Sequence, residues 1–263
     1  GAWRQPGRVR LTSTGGINVI NKIQEVINGI QYPARTKLKV FFLCSVAGGT
    51  GSGTIVDLVY MTRHVLETIF AGLYNNTRIF GYIFSPSACE GEINMDHHPG
   101  ANHYAAMKEI AYLMRLRDRG EKIKMNYGIT NVTFNRNIFD TCMIVDGNTP
   151  AFGGFRKPAE TARNVVVQSI LGSMTARDVV GDEQVSLIDS VYSNSWTDVT
   201  TAIASLPLDK YPRYAGYSFN ATGFASVKVP VELLTSVVVH NIFKRLWDAW
   251  NEDPGRNAEI RFL

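Results

Sequence analysis

The chain has 263 residues, 45% of them hydrophobic and 19% charged, a balance that excludes a disordered polyelectrolyte and allows one large core with an appendage. Its formal net charge of +4 comes from 27 basic and 23 acidic residues dispersed along the chain, so composition nominates no nucleic-acid partner. Three cysteines without a CxxC pair or zinc-ligand spacing suit a reducing, cytoplasmic compartment, and every apolar stretch is shorter than the ~20 residues of a membrane span.

Leu38 to Cys44 (LKVFFLC) is a short apolar run rich in β-formers, which predicts a strand buried on both faces. A glycine loop follows, and then Thr54 to Phe70 spaces Ile55, Leu58, Val59, Val65, Leu66 and Ile69 as one face of a helix. The alternation continues with a strand at Arg78 to Phe84, a helix at Ala101 to Leu116, a strand at Phe139 to Val145 and a helix from Pro158 to about Thr175, with proline tolerated in the first turn. Strands separated by helices predict an α/β fold with a mainly parallel sheet and helices on both faces. After Gly181 the pattern loosens, with a polar stretch at Ser193 to Tyr217, a strand-like Ala225 to Val229 and a helix from Val231 to Trp250. The expected division is 1–181 for the main domain and 182–263 for a smaller α+β portion.

The segment CSVAGGTGSGTIVD, Cys44 to Asp57, puts four glycines with Thr50 and Ser52 between a buried strand and a helix. Backbone N–H groups and the positive end of a helix hold phosphate oxygens at such a place. Glycine permits positive φ and close approach, and the Thr50 and Ser52 hydroxyls are further donors. No lysine follows the last glycine and the spacing is not G-x-G-x-x-G, so neither common nucleotide-binding pattern is spelled.

The GGTGSG run, Gly48 to Gly53, resembles the signature of the tubulin and FtsZ superfamily, written GGGTGSG or GGGTGTG, with Ala47 in place of the first glycine. Among its members the chain is most similar to the diverged tubulin-like proteins of bacteria. The resemblance implies a guanine-nucleotide-binding domain with GTP or GDP and Mg2+ as cofactors, and with Gly48, Gly49, Thr50, Gly51, Ser52 and Gly53 at the phosphates. It implies further that Gly1 and Ala2, opening GAWRQPG, belong to the loop that reaches the terminal phosphate. Asn148, after the DTCMIVDGN segment with Gly147 inserted, and Asn164, six residues past Pro158, would face the guanine edge. An amide offers both the acceptor and the donor that guanine requires.

The resemblance also implies head-to-tail self-association into oligomers or filaments. One subunit's nucleotide is then hydrolysed when an acidic loop of the next polarises the attacking water, and Asp182 and Glu183 stand where that loop belongs. The family's first strand and first phosphate loop have no counterpart after Gly1, which implies a fragment or an incomplete domain. Two alternatives stay open: a scaffold that binds nucleotide without turning it over, and a dinucleotide-dependent oxidoreductase. For the oxidoreductase, Glu67 is the one carboxylate near the required offset of ~20 residues. Asp96, His97, His98 and His103 read as a polar loop, with Pro99 and Gly100 marking a turn and with no metal assigned.

Overall fold

The architecture follows from the two-residue alternation of the strands. In the computed structural model, which describes residues 3–30, 38–75, 77–92, 98–117, 119–127, 130–147, 158–175, 219–221 and 231–252, strand β1 is Lys39–Ser45, β2 is Arg78–Phe84, β5 is Thr141–Val145 and β6 is Phe219–Ala221. They form a four-stranded sheet in the order β1-β2-β5-β6, with every pair parallel. Along β2, Ile79 and Ile83 join one apolar cluster, while Phe80, Tyr82 and Phe84 join another on the opposite face.

The first face is covered by α2 (Gly16–Asn28), α3 (Gly49–Thr68) and α5 (Pro99–Leu113), and by the antiparallel pair β3 (Ile123–Tyr127) and β4 (Thr130–Phe134). The second face is covered by α6, Pro158–Thr175, through Ala162 and Val166. Gly81 lies beneath Phe139, whose ring would stand 2.8 Å from an added Cβ. The short helix α4 is Ala71–Tyr74. The chain divides into two compact units, Gly1–Phe224 and Ala225–Leu263, the second containing helix α7, Val231–Glu252.

The α/β class, the parallel sheet and its helix-covered faces agree with the sequence. Four features differ. Strand β6, Phe219–Ala221, joins the main sheet beside β5, where the sequence suggests no strand. Residues Arg4–Arg10 form a helix, α1, which continues through a π-helical turn at Leu11–Gly15 into α2, where the sequence suggests a phosphate loop at the start. Helix α3 begins at Gly49, ahead of the expected Thr54, so most of the glycine motif is helical. The β3–β4 hairpin is an addition, with Ile123, Met125, Tyr127, Val132 and Phe134 packed in the core between exposed polar neighbours.

Helix α1 docks on α3 and α5 through charge. Arg4 Nη2 is 2.6 Å from Glu109, Arg8 Nη1 is 3.2 Å from the same carboxylate, and Arg8 Nε is 3.4 Å from Asp57. The Asp57 side chain is only 2% exposed and accepts a 3.2 Å hydrogen bond from Tyr127 Oη. Burial raises its carboxyl above the ordinary carboxylate pKa, Arg8 and Tyr127 pull it back, and Glu109 pushes it up again. The protonated form is therefore favoured by folding. Its contribution is complete below the unfolded value and is lost as pH rises through the folded one. Asp57→Asn, which keeps the shape without the charge, is expected to gain stability relative to the wild type as pH is raised from about 4 to 7. Urea unfolding of both proteins at several pH values measures this. A stability difference that does not change with pH would contradict it.

Candidate nucleotide site

Parallel pairing brings the C-terminal ends of β1, β2 and β5 to one edge of the sheet, where open α/β folds bind ligands. β1 ends at Ser45, and the next residue stays tied to β2 through Val46 N–H to the Phe84 carbonyl at 3.3 Å. Gly48 then caps α3 in an extended conformation, φ −86° and ψ 159°. Among the described residues the only non-glycine with positive φ is His98, so Ala47 needs no left-handed backbone and its substitution for glycine is accommodated.

The glycines of the motif answer to different neighbours. A Cβ on Gly51 would run into the Ser45 carbonyl and come within 2.9 Å of Cys44 Sγ. One on Gly53 would run into the Arg4 carbonyl, where α1 crosses α3. Gly48 faces open space, with nothing within 4 Å of an added Cβ. Gly51 and Gly53 thus let the helix approach the strand end and α1 closely, and none of these glycines is required by positive φ.

Hydrogen bonding around the turn is asymmetric. The Gly48 carbonyl accepts from Ser52 N–H at 3.2 Å and from Ser52 Oγ at 2.6 Å, which commits the hydroxyl of the buried Ser52 to the backbone. The Ala47 carbonyl accepts from Asn102 Nδ2 of α5 at 3.1 Å. Arg4 donates through Nε and Nη2 to the Ser52 carbonyl at 3.2 and 2.9 Å, and Nη2 also binds Glu109. Acceptors at the turn are therefore occupied, while the N–H groups of Gly49, Thr50 and Gly51 have no acceptor within the helix. Together with the helix dipole they make an electropositive turn suited to an anion. Thr50 is exposed beside them.

Beyond the turn, Ser85 and Ser87, after β2, both donate to Asp146, after β5; Ser85 does so at 3.1 Å, and the two hydroxyls lie 2.7 Å apart. Gly147 N–H donates to Ser87 Oγ at 3.1 Å, and a Cβ at residue 147 would run into the Ser87 carbonyl, which explains why the inserted residue is glycine. His103 of α5 is held below the ordinary histidine pKa by burial, against the pull of Asp146, and is neutral at pH 7. Burial, with Cys89 nearby, pushes the Cys44 thiol up to about 11, so it carries no reactive thiolate at neutral pH.

Asn164 is exposed on α6, and the residue before it on the same helix, Arg163, pairs with Glu92 at 2.7 Å beyond β2. Gly1, Ala2, Asn148, Asp182 and Glu183 lie outside the described residues, as do Asp96, His97, the Ser193 to Tyr217 stretch and the strand-like Ala225 to Val229. Sequence reading did not single out Asn102, Arg4 or Asp146 for this site. Asn102 and Arg4 are 55 and 48 residues from their acceptors.

The glycine geometry separates two substitutions. Gly51→Val forces a branched side chain against the Ser45 carbonyl and is expected to destabilise the protein by ~3 kcal/mol or more, the upper end of overpacking costs. Gly48→Val meets open space in a backbone conformation that valine adopts readily, so its thermal midpoint should stay near the wild type's. Thermal unfolding of both variants checks this, and equal midpoints would contradict it.

A family model described as tubulin like matches residues 1–248. No curated protein matches the chain.

Proposed function

The chain belongs to the tubulin-like family, and we propose that it binds GTP or GDP with the phosphates on the first turn of α3. The observation that carries this reading is the turn itself. Its N–H groups point along a 20-residue helix axis with no internal acceptor, and the adjoining Ala47 and Gly48 carbonyls are tied back by Asn102 and Ser52. Gly48, Gly49, Thr50 and Gly51 would meet the phosphate oxygens, with Ser52 and Gly53 shaping the turn from behind. Gly1 and Ala2 are assigned to the terminal phosphate, and Asn148 and Asn164 to the guanine edge, by family resemblance.

Magnesium would enter with the triphosphate, bound through phosphate oxygens and water, as this ion is commonly held. Among the described residues no group of three or more His, Cys, Asp or Glu side chains stands ready for a metal. None of the described helices is long and apolar enough to cross a membrane. We assign the role of acidic loop to Asp182 and Glu183, acting on the nucleotide of the next copy in a head-to-tail assembly. A second reading, in which nucleotide is held for assembly without turnover, is favoured by the absence of the family's Asn-x-Asp spelling at those residues.

Mixed donor and acceptor amides should favour GTP over ATP by more than tenfold, because each mismatched, buried group costs ~1–3 kcal/mol. Competition calorimetry with the two nucleotides measures the ratio. Asn164→Ala should narrow it, and equal affinities in the wild type would sink the base assignment.

Turnover shared between copies has a specific rate that rises with protein concentration, so phosphate release across a dilution series should curve upward and require magnesium. A fast rate independent of concentration would rule out a shared site. Tight GTP binding with no turnover at any concentration would favour the scaffold reading.

A further inference from the structure

The carbonyl of Ala47 lies at the entry to the glycine turn, where an exposed oxygen would repel a phosphate. It is held by Asn102 Nδ2, at 3.1 Å, from the first turns of α5. Among the described residues there is no cis peptide, so in the planar Ala47–Gly48 unit the carbonyl and the Gly48 N–H point in opposite directions. Fixing one end of the unit fixes the other. Gly48 itself opens onto free space on its Cβ side, and its own carbonyl is already held by Ser52.

We propose that Asn102 is a positioning residue for the phosphate turn, holding the Ala47 carbonyl away from the anion so that the Gly48 N–H is presented to it. The inference rests on the nucleotide reading above and adds to it a residue that need not touch nucleotide. Ser52 does the corresponding work one peptide further on, but from within the helix, where its loss would also disturb the helix start. Asn102 acts from a separate element, which lets the two effects be told apart. Without it the Ala47–Gly48 peptide is free to rotate, and rotation would replace a donor at the site with an acceptor.

The test uses the full chain with GTP and GDP as probes. Asn102→Ala removes the donor, and Asn102→Asp keeps the shape while placing an acceptor against the carbonyl. Both should weaken GDP and GTP binding by tenfold or more, with thermal midpoints close to the wild type's and with the loss in Asn102→Ala persisting at high salt. In amide NMR spectra of the nucleotide-free protein, the Gly48 resonance should move in both variants, a change that loss of general stability does not produce. Unchanged nucleotide affinity in both variants overturns the positioning role, and an unmoved Gly48 resonance overturns the tether. A wild type that binds neither nucleotide refutes the nucleotide reading instead, and the Gly48 resonance then decides the tether separately.

Discussion

Helix α3 begins immediately beyond the Val46–Gly48 connection from β1, and its first turn lies so close to that strand's last peptide that residue 51 has no room for a Cβ. This close junction governs the rest of the site. It sets the N-terminal end of a long helix, with its first N–H groups lacking helical acceptors, at the sheet edge where β1, β2 and β5 finish. The same economy operates at Gly53, where the absence of a side chain lets the start of α1 pack across α3. Five residues of the motif are helical even though glycine is a poor helix former, at about 1 kcal/mol per residue relative to alanine. Tertiary packing therefore sustains the turn: α1 and its arginines on one side, Asn102 on another, and the buried Ser52 beneath.

The charged docking of α1 includes a desolvated carboxylate. Asp57 is buried with a cation on one side, a phenol on the other and Glu109 nearby, and the net effect favours its neutral form. Arg4 turns this cluster toward the site, since its guanidinium spans Glu109 and the Ser52 carbonyl and so links three helices at the first turn of α3. Tyr60 and Phe134, with ring centroids 4.3 Å apart, and the stacked pair Phe41 and Phe80, at 5.3 Å, anchor opposite faces of the sheet.

Three of the four sheet strands were legible because they are apolar runs ending at serine or aspartate and because the helices between them repeat on one face, whereas β6 is only Phe219–Ala221, too short to carry an alternation. The N-terminal helix was obscured by Pro6, Gly7, Gly15 and Gly16, all poor helix formers in an interior. Proline in a first turn loses no intrahelical bond, and Val19, Ile20, Ile23 and Ile27 carry a helical spacing that would have revealed α2. The hairpin at Ile123 to Phe134 shows plain alternation and could have been found by the same count. At the site, the glycine motif was readable as the turn between a strand and a long helix, but the reason for each glycine was not. That reason lies in which atom stands opposite each Cα, and the tethers from Asn102 and Arg4 join residues whose proximity only the fold creates.

The phosphate role proposed for the first turn of α3 in this member of the tubulin-like family is open to direct test. A crystal structure of the chain grown with GDP tests it most directly. The account predicts phosphate oxygens within about 3 Å of the Gly48 to Gly51 amide nitrogens, with Asn102 still on the Ala47 carbonyl. A nucleotide bound elsewhere, with that turn empty, would contradict it.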